Sequence, residues 1–213
     1  MNYKRFPLGK LWTNGYLFWN DNTKNAFFVD PGGDCSDVFK FMKNRSLTPK
    51  MVLLTHGHID HIAGLHEFIP YTGSKIYIHK NDSYMLRQPP KQLQKILNVH
   101  CDPIDNENFT ELSDENKSLK FDDFTIEILD TPGHTEGSVC YLVSQGDEKV
   151  LLSGDTLFAQ SVGRTDLEGG SDEKLTESLL TLLELNDDLK VLPGHGPLTT
   201  IGDERLKNPF LKI

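Results

Sequence analysis

The sequence predicts an α/β protein with sheet at its centre, and three observations carry that expectation. Short apolar runs such as MVLLTH (51–56) have the length and composition of strands buried on both faces. Segments of helical period lie between them, SDEKLTESLLTLLEL being the clearest. Glycine and proline mark the ends of the runs, where a strand must give way to a turn.

In chain order, NGYLFWNDNTKNAFFVDPGGD reads as two strands about a polar turn at 21–24, stopped by Pro31-Gly32-Gly33. DCSDVFKFMKNR reads as a helix, MVLLTH as a buried strand, AGLHEFI as a helix and KIYIHK as a strand. Residues 81–99 are mostly helical, with a break at Pro89-Pro90. LKFDDFTIEILDT alternates around a polar turn and predicts a hairpin, and SVCYLVSQGDEKVLLSGD predicts two strands about a turn at 145–148. In SDEKLTESLLTLLEL, Leu175, Leu179, Leu182 and Leu183 share one helical face, with Ser171 as N-cap and acids in the first turn. LKVLPGHG is a short strand entering a Pro/Gly turn. No repeat or linker divides the chain, so residues 1–213 are expected to form a single domain.

Lys and Arg number 22 against 31 Asp and Glu, a net charge of −9. That excess of acid argues against nucleic acid or anionic membrane as partner. No apolar stretch approaches the roughly 20 residues of a membrane span, and MNYKRFPLGKLW lacks the apolar core of a secretory signal. Cys35, Cys101 and Cys140 are widely spaced and form no CxxC pair, which predicts free core thiols in a reducing cytoplasm.

The residues able to hold a metal fall at strand ends. The run 52–55 ends at His56, and 126–130 leads through Thr131-Pro132-Gly133 to His134. The run 150–153 passes through Gly154 to Asp155, and 191–192 passes through Pro193-Gly194 to His195. In open α/β sheets that edge is where ligands bind. His56 and His58 are two apart, so an extended segment can aim both at one ion; Asp60 and His61 follow a turn and can address a second. Asp155, an isolated carboxylate with two oxygens, can bridge them. The expected sets are His56, His58, His134 and Asp155 for one ion, and Asp60, His61, Asp155 and His195 for the other. Imidazole with carboxylate suits zinc, and also iron or manganese. A PGH tripeptide alone is an ordinary turn, so it is the joint placement that marks His134 and His195. His66, His79 and His100 read as ordinary structural or surface histidines. Arg164 either steers an anionic substrate or, the better reading, holds its loop through Asp166. Phe158 and Tyr141 line the site or fill the core.

The pattern HxHxDH, standing as His56-Gly57-His58-Ile59-Asp60-His61 and followed in order by His134, Asp155 and His195, resembles the metallo-β-lactamase superfamily. LPGHGPLTTIGDE and GDTLF…GRTDLEGGS are similar to the glyoxalase II-like hydrolases, above all the short single-domain bacterial group. The resemblance implies a four-layer αβ/βα sandwich, two mixed sheets flanked by helices, around two divalent metal ions. It implies a metal-dependent hydrolase that cleaves a thioester such as S-lactoylglutathione by attack of a metal-bridging hydroxide, oriented by Asp60 and with Asp155 as the bridge. The expected partner is a small-molecule thioester, and the protein a monomer or homodimer. Glyoxalase II proper carries a C-terminal helical domain that helps bind glutathione, and residues 196–213 are too few to supply one.

Three rivals remain open. A persulfide dioxygenase of similar fold shares the GRTD segment but uses one iron, whereas Pro193-Gly194-His195-Gly196 looks hydrolase-like. A lactonase differs only in substrate, and a metal-stabilised binding module would enclose its metal fully.

Overall fold

The computed structural model describes residues 1–113 and 115–211, so the last two positions of the expected 1–213 domain lie outside the described residues. The chain divides into two compact units, Met1–Leu112 and Ser113–Ile213.

The first unit runs β1 (Asn2–Leu8), β2 (Thr13–Trp19), β3 (Asn25–Val29), α1 (Ser36–Arg45), β4 (Thr48–Leu53), α2 (Ile59–Ile62), α3 (Leu65–Thr72), β5 (Lys75–His79), α4 (Ser83–Arg87), α5 (Lys91–Leu97) and β6 (Phe109–Leu112). Its six strands form one sheet in chain order. β1, β2 and β3 pair antiparallel, while β3, β4, β5 and β6 pair parallel. The turn expected at 21–24 is closed by Asn20, whose Oδ1 accepts the Asn22 and Thr23 amides at 2.7 and 3.0 Å. Parallel neighbours need crossovers, and α1 and α3 lie in two of them. α1 turns Val38 and Met42, four residues apart on one face, into a core that includes Phe28, Val52 and Phe68. The Phe28 and Phe68 rings stack at 5.0 Å. Each such buried side chain stabilises by about 1.5–3 kcal/mol, enough to fix β3 and β4 at the sheet centre.

The second unit contains β7 (Ser118–Phe121), β8 (Phe124–Asp130), β9 (Val139–Gln145), β10 (Glu148–Gly154), β11 (Leu157–Phe158), β12 (Ser161–Val162), α6 (Asp172–Leu182), β13 (Lys190–Pro193), β14 (Thr199–Thr200) and α7 (Ile201–Lys207). Its main sheet has the order β14-β13-β10-β9-β8-β7, with β10 and β13 parallel and the other pairs antiparallel. β11 and β12 form a separate two-stranded ribbon. Ser171 caps α6 as expected, its hydroxyl accepting the Lys174 amide, and Leu175, Leu179 and Leu182 are buried. Leu183 stands just past the helix as its C-cap and packs, partly buried, on the same core.

Both sheets are mixed and flanked by helices, the α/β class that the strand and helix pattern predicts. The strands and helices singled out in the sequence are present; β1, β6, the single-turn α2, α7 and the short strands β11, β12 and β14 are additions. Among the described residues no helix is long and apolar enough to cross a membrane, and all three cysteines are free and buried.

Candidate metal centre

In the first unit the ligand-type residues follow β4. Leu54 continues the sheet, its amide donating to Tyr77 O at 3.0 Å, and the chain then leaves through Thr55 into His56. A buried carboxylate governs the geometry beyond that point. Asp30, directly after β3, is 2% exposed and holds a backbone φ of +52°, a region that aspartate tolerates better than most residues. Its Oδ1 accepts the Thr55 amide at 2.8 Å and its Oδ2 accepts the Thr55 hydroxyl at 2.7 Å. Oδ2 also accepts His61 Nδ1–H at 2.9 Å.

These contacts set two tautomers. A carboxylate only accepts, so His61 carries its proton on Nδ1 and its lone pair on Nε2. The single Thr55 proton goes to Asp30, so the Thr55 oxygen, 3.1 Å from His56 Nδ1, accepts there. His56 is therefore also protonated at Nδ1 and offers Nε2. Both Nε2 atoms are shielded from solvent. The ring centroids of His56 lie 4.8 Å from His58 and 4.1 Å from His61. The single turn α2 carries Asp60 and His61, with His58 as its N-cap in extended conformation. Asp60 Oδ2 accepts the Thr13 hydroxyl at 3.3 Å and lies 3.7 Å from His61 Nε2. A second buried carboxylate, Asp82 after β5, accepts the Gly57 amide at 3.0 Å and fixes the bend between His56 and His58.

In the second unit three strand ends supply three residues. His134 follows β8, Asp155 follows β10 and His195 follows β13. His134 Nδ1–H donates to the Arg164 carbonyl at 2.7 Å, which again leaves Nε2 as the lone-pair atom. Asp155 Oδ2 stands 3.7 Å from His134 Nε2 and 3.5 Å from His195 Nε2. These separations exceed an ordinary hydrogen bond. Close backbone approach is needed here: a Cβ on Gly163 would come within 1.9 Å of Asp155 O and 3.2 Å of His134 Cβ. Phe158, on β11, meets the His195 ring edge-on at 6.1 Å. Its ribbon is tied down from α7: buried Glu204 accepts the Gln160 amide at 2.7 Å, and Asn208 Nδ2 donates to Ser161 O at 3.0 Å.

The donor set fits a divalent transition metal. Imidazole Nε2 lone pairs and carboxylate oxygens are the ligands of zinc and also of iron or manganese, and the chain carries His and Asp groups that could hold such ions. His66 and His100 stand apart from these sets, His100 pairing with Asp102 at 2.9 Å. His79 closes β5 and its Nδ1 lies 3.4 Å from the Asn81 amide. Tyr141 is fully buried in the core. Arg164 spends its guanidinium on Asp166 through two hydrogen bonds of 2.6 and 2.8 Å, while its carbonyl holds His134. The sequence reading missed Asp30, Thr55 and Asp82. VDPGGD reads as a turn, and nothing local links it to a histidine 31 positions on; only the aspartate directly after a buried strand could have drawn notice.

The chain's similarity to known proteins agrees with this chemistry. Residues 9–195 match the metallo-beta-lactamase superfamily model. Hydroxyacylglutathione hydrolase GloC of Haemophilus influenzae is 36% identical, with 99% of this chain and 98% of that protein covered. The crystal structure of the BLEG-1 B3 metallo-beta-lactamase is 39% identical, covers 100% of both chains and superposes with a TM-score of 0.89. TTHA1623 in a di-iron-bound form is 29% identical over 98% of this chain and 100% of its own, with a TM-score of 0.85. The chain belongs to the metallo-beta-lactamase superfamily.

Proposed function

We propose that the chain is a metal-dependent hydrolase of acyl thioesters, S-lactoylglutathione among them. His56, His58, His134 and Asp155 would hold one cation, and Asp60, His61, Asp155 and His195 the other, with Asp155 shared. Zinc is the expected metal, and the di-iron relative makes iron the alternative. The observation that carries this reading is the common tautomer of His56, His61 and His134, each keeping its proton on Nδ1 where it donates to a fixed acceptor and so offering Nε2. Both units contribute, so residues 1–213 are proposed to work as a single catalytic domain. Three free thiols suit a reducing compartment, and we place the enzyme in the cytoplasm.

Two divalent cations bound there would bring the pKa of a water toward neutrality and polarise an acyl carbonyl. The chain's own part is positional. Asp30, through Thr55 and directly, holds two imidazoles in the ligating tautomer. Asp60, whose carboxylate accepts the Thr13 hydroxyl, would accept a hydrogen bond from the attacking water. A thiol leaving group, with a free pKa of about 8.5, departs near neutral pH with little proton assistance. A site whose histidines and aspartates are committed as ligands therefore suits thioesters better than amides.

The BLEG-1 relative favours a second reading, hydrolysis of a β-lactam. Purified protein reloaded with zinc, or in parallel with iron, separates these. Turnover of S-lactoylglutathione with kcat/KM above about 10⁴ M⁻¹s⁻¹, exceeding that for a chromogenic β-lactam and a lactone, is expected. A β-lactam preference, or oxygen uptake with a glutathione persulfide, would overturn the thioesterase reading.

A further inference from the structure

We propose that the cavity between α4 and α5 receives an anionic thiol carrier, a molecule bearing several carboxylates or phosphates; this deepens the thioester reading and rests on it. The first unit shows why the substrate would extend there. β3, β4 and β5 run parallel, Val29 beside Leu53 and Leu53 beside Tyr77, so their C-terminal ends open on one edge of the sheet. Asp30 follows the first, His56 the second, and the segment 80–103 the third. That segment starts against the candidate metal loop. Asp82 accepts the Gly57 amide, and a Cβ on Gly57 would lie 2.9 Å from Met85 of α4.

Beyond α4 the chain turns at Pro89-Pro90 into α5, leaving a cavity of about 1030 Å³ lined by Arg87, Lys91, Gln94, Lys95, His100 and Asp102 among others. Its volume stands at the upper end for small-ligand sites. Its charge runs against that of the molecule. The chain has a net charge of −9, yet the cavity's lining sets Arg87, Lys91 and Lys95 against a single acid, Asp102. Arg87 is engaged by Glu111 at 3.0 Å, and His100 by Asp102 at 2.9 Å.

Lys91 and Lys95 have no ion pair among the described residues. Spaced four apart on one helix face, they repel each other in the isolated protein. Core packing holds α5 only lightly: none of its residues is fully buried, and Leu97 packs partly buried on the core. An anion in the cavity would relieve the repulsion, with the acyl-bearing sulfur directed back along α4 toward the His56–His61 loop. A neutral thiol would gain nothing from these lysines.

The test is equilibrium binding by calorimetry at low salt, using thioethers that cannot be hydrolysed. S-Methylglutathione supplies carboxylates, S-methyl-coenzyme A supplies phosphates, and S-methyl-N-acetylcysteamine supplies neither. At least one anionic thioether is expected to bind, with Kd rising about tenfold in Lys91→Glu/Lys95→Glu. Lys91→Gln/Lys95→Gln should fall between the two, and added salt should weaken wild-type binding. Which anionic probe responds identifies carboxylate or phosphate as the recognised group. An unchanged Kd in the glutamate variant, equal affinity for the neutral thioether, or no binding of either anion would overturn the proposal. Charge-dependent binding without hydrolysis of any thioester would instead remove the reaction and leave this site. Thioester turnover with unchanged Kd would do the reverse.

Discussion

The two units present their imidazoles by different means. In the first, a single buried carboxylate, Asp30, sets the tautomers of His56 and His61, and a second, Asp82, shapes the loop between His56 and His58. In the second, His134 is held by a backbone carbonyl, and Asp155 lies where only glycine fits opposite it. A carboxylate partner raises the basicity of an imidazole as well as orienting it, whereas a neutral carbonyl chiefly orients. The first unit thus depends on side-chain chemistry and the second on main-chain geometry. A substitution should be felt accordingly.

The largest contrast is expected between Asp30→Asn and Arg164→Ala. Asparagine tolerates the positive φ at position 30, so the backbone should persist while the charge and one acceptor are lost. Metal affinity is expected to fall about 10–100-fold, read by competition with a chromogenic chelator. Arg164→Ala removes only an exposed guanidinium paired with Asp166 and keeps the carbonyl that holds His134. Its activity should change by about fivefold at most. A KM increase well beyond that, with kcat kept, would restore Arg164 to a substrate-binding role. Equal effects of the two substitutions would erase the contrast between the units.

The smallest effect concerns the thiols. Burial pushes Cys35 and Cys101 in the first unit up to about 12, and Cys140 in the second up to about 11, from 9.0. These are acids whose folded pKa lies above the unfolded one. Their contribution to stability is therefore complete below about pH 9 and lost as pH rises toward 11–12. Thermal melts should be flat in this respect up to about pH 9 and then decline, and native protein at pH 8 should resist alkylation of all three cysteines. Rapid labelling of any of them in the folded state would contradict the burial argument.

How far the sequence revealed this arrangement differs between the units for a physical reason. The loop from His56 to His61 concentrates four ligand-type residues in six positions, so composition alone exposes it. His134, Asp155 and His195 are legible only because each follows an apolar strand, and strand ends are where an α/β sheet binds. Asp30 escaped because its partners are distant in sequence and its own neighbours, Pro31-Gly32-Gly33, announce only a turn. β1 escaped because exposed Lys4 and Arg5 interrupt its apolar alternation at a sheet edge. α7 followed a Pro/Gly turn and was hidden by it, although Thr200 caps it by accepting the Asp203 amide at 3.1 Å.

The central claim is that ligands from both units serve one metal-dependent hydrolysis. Its most direct test compares wild-type protein, chelator-treated and reloaded with zinc, with His56→Ala from the first unit and Asp155→Asn from the second, following S-lactoylglutathione hydrolysis and bound metal together. The account predicts that turnover disappears on chelation, returns with about two metal ions per chain, and falls at least about a thousandfold in both variants. Near-wild-type turnover in either variant, or hydrolysis indifferent to metal removal, would contradict it.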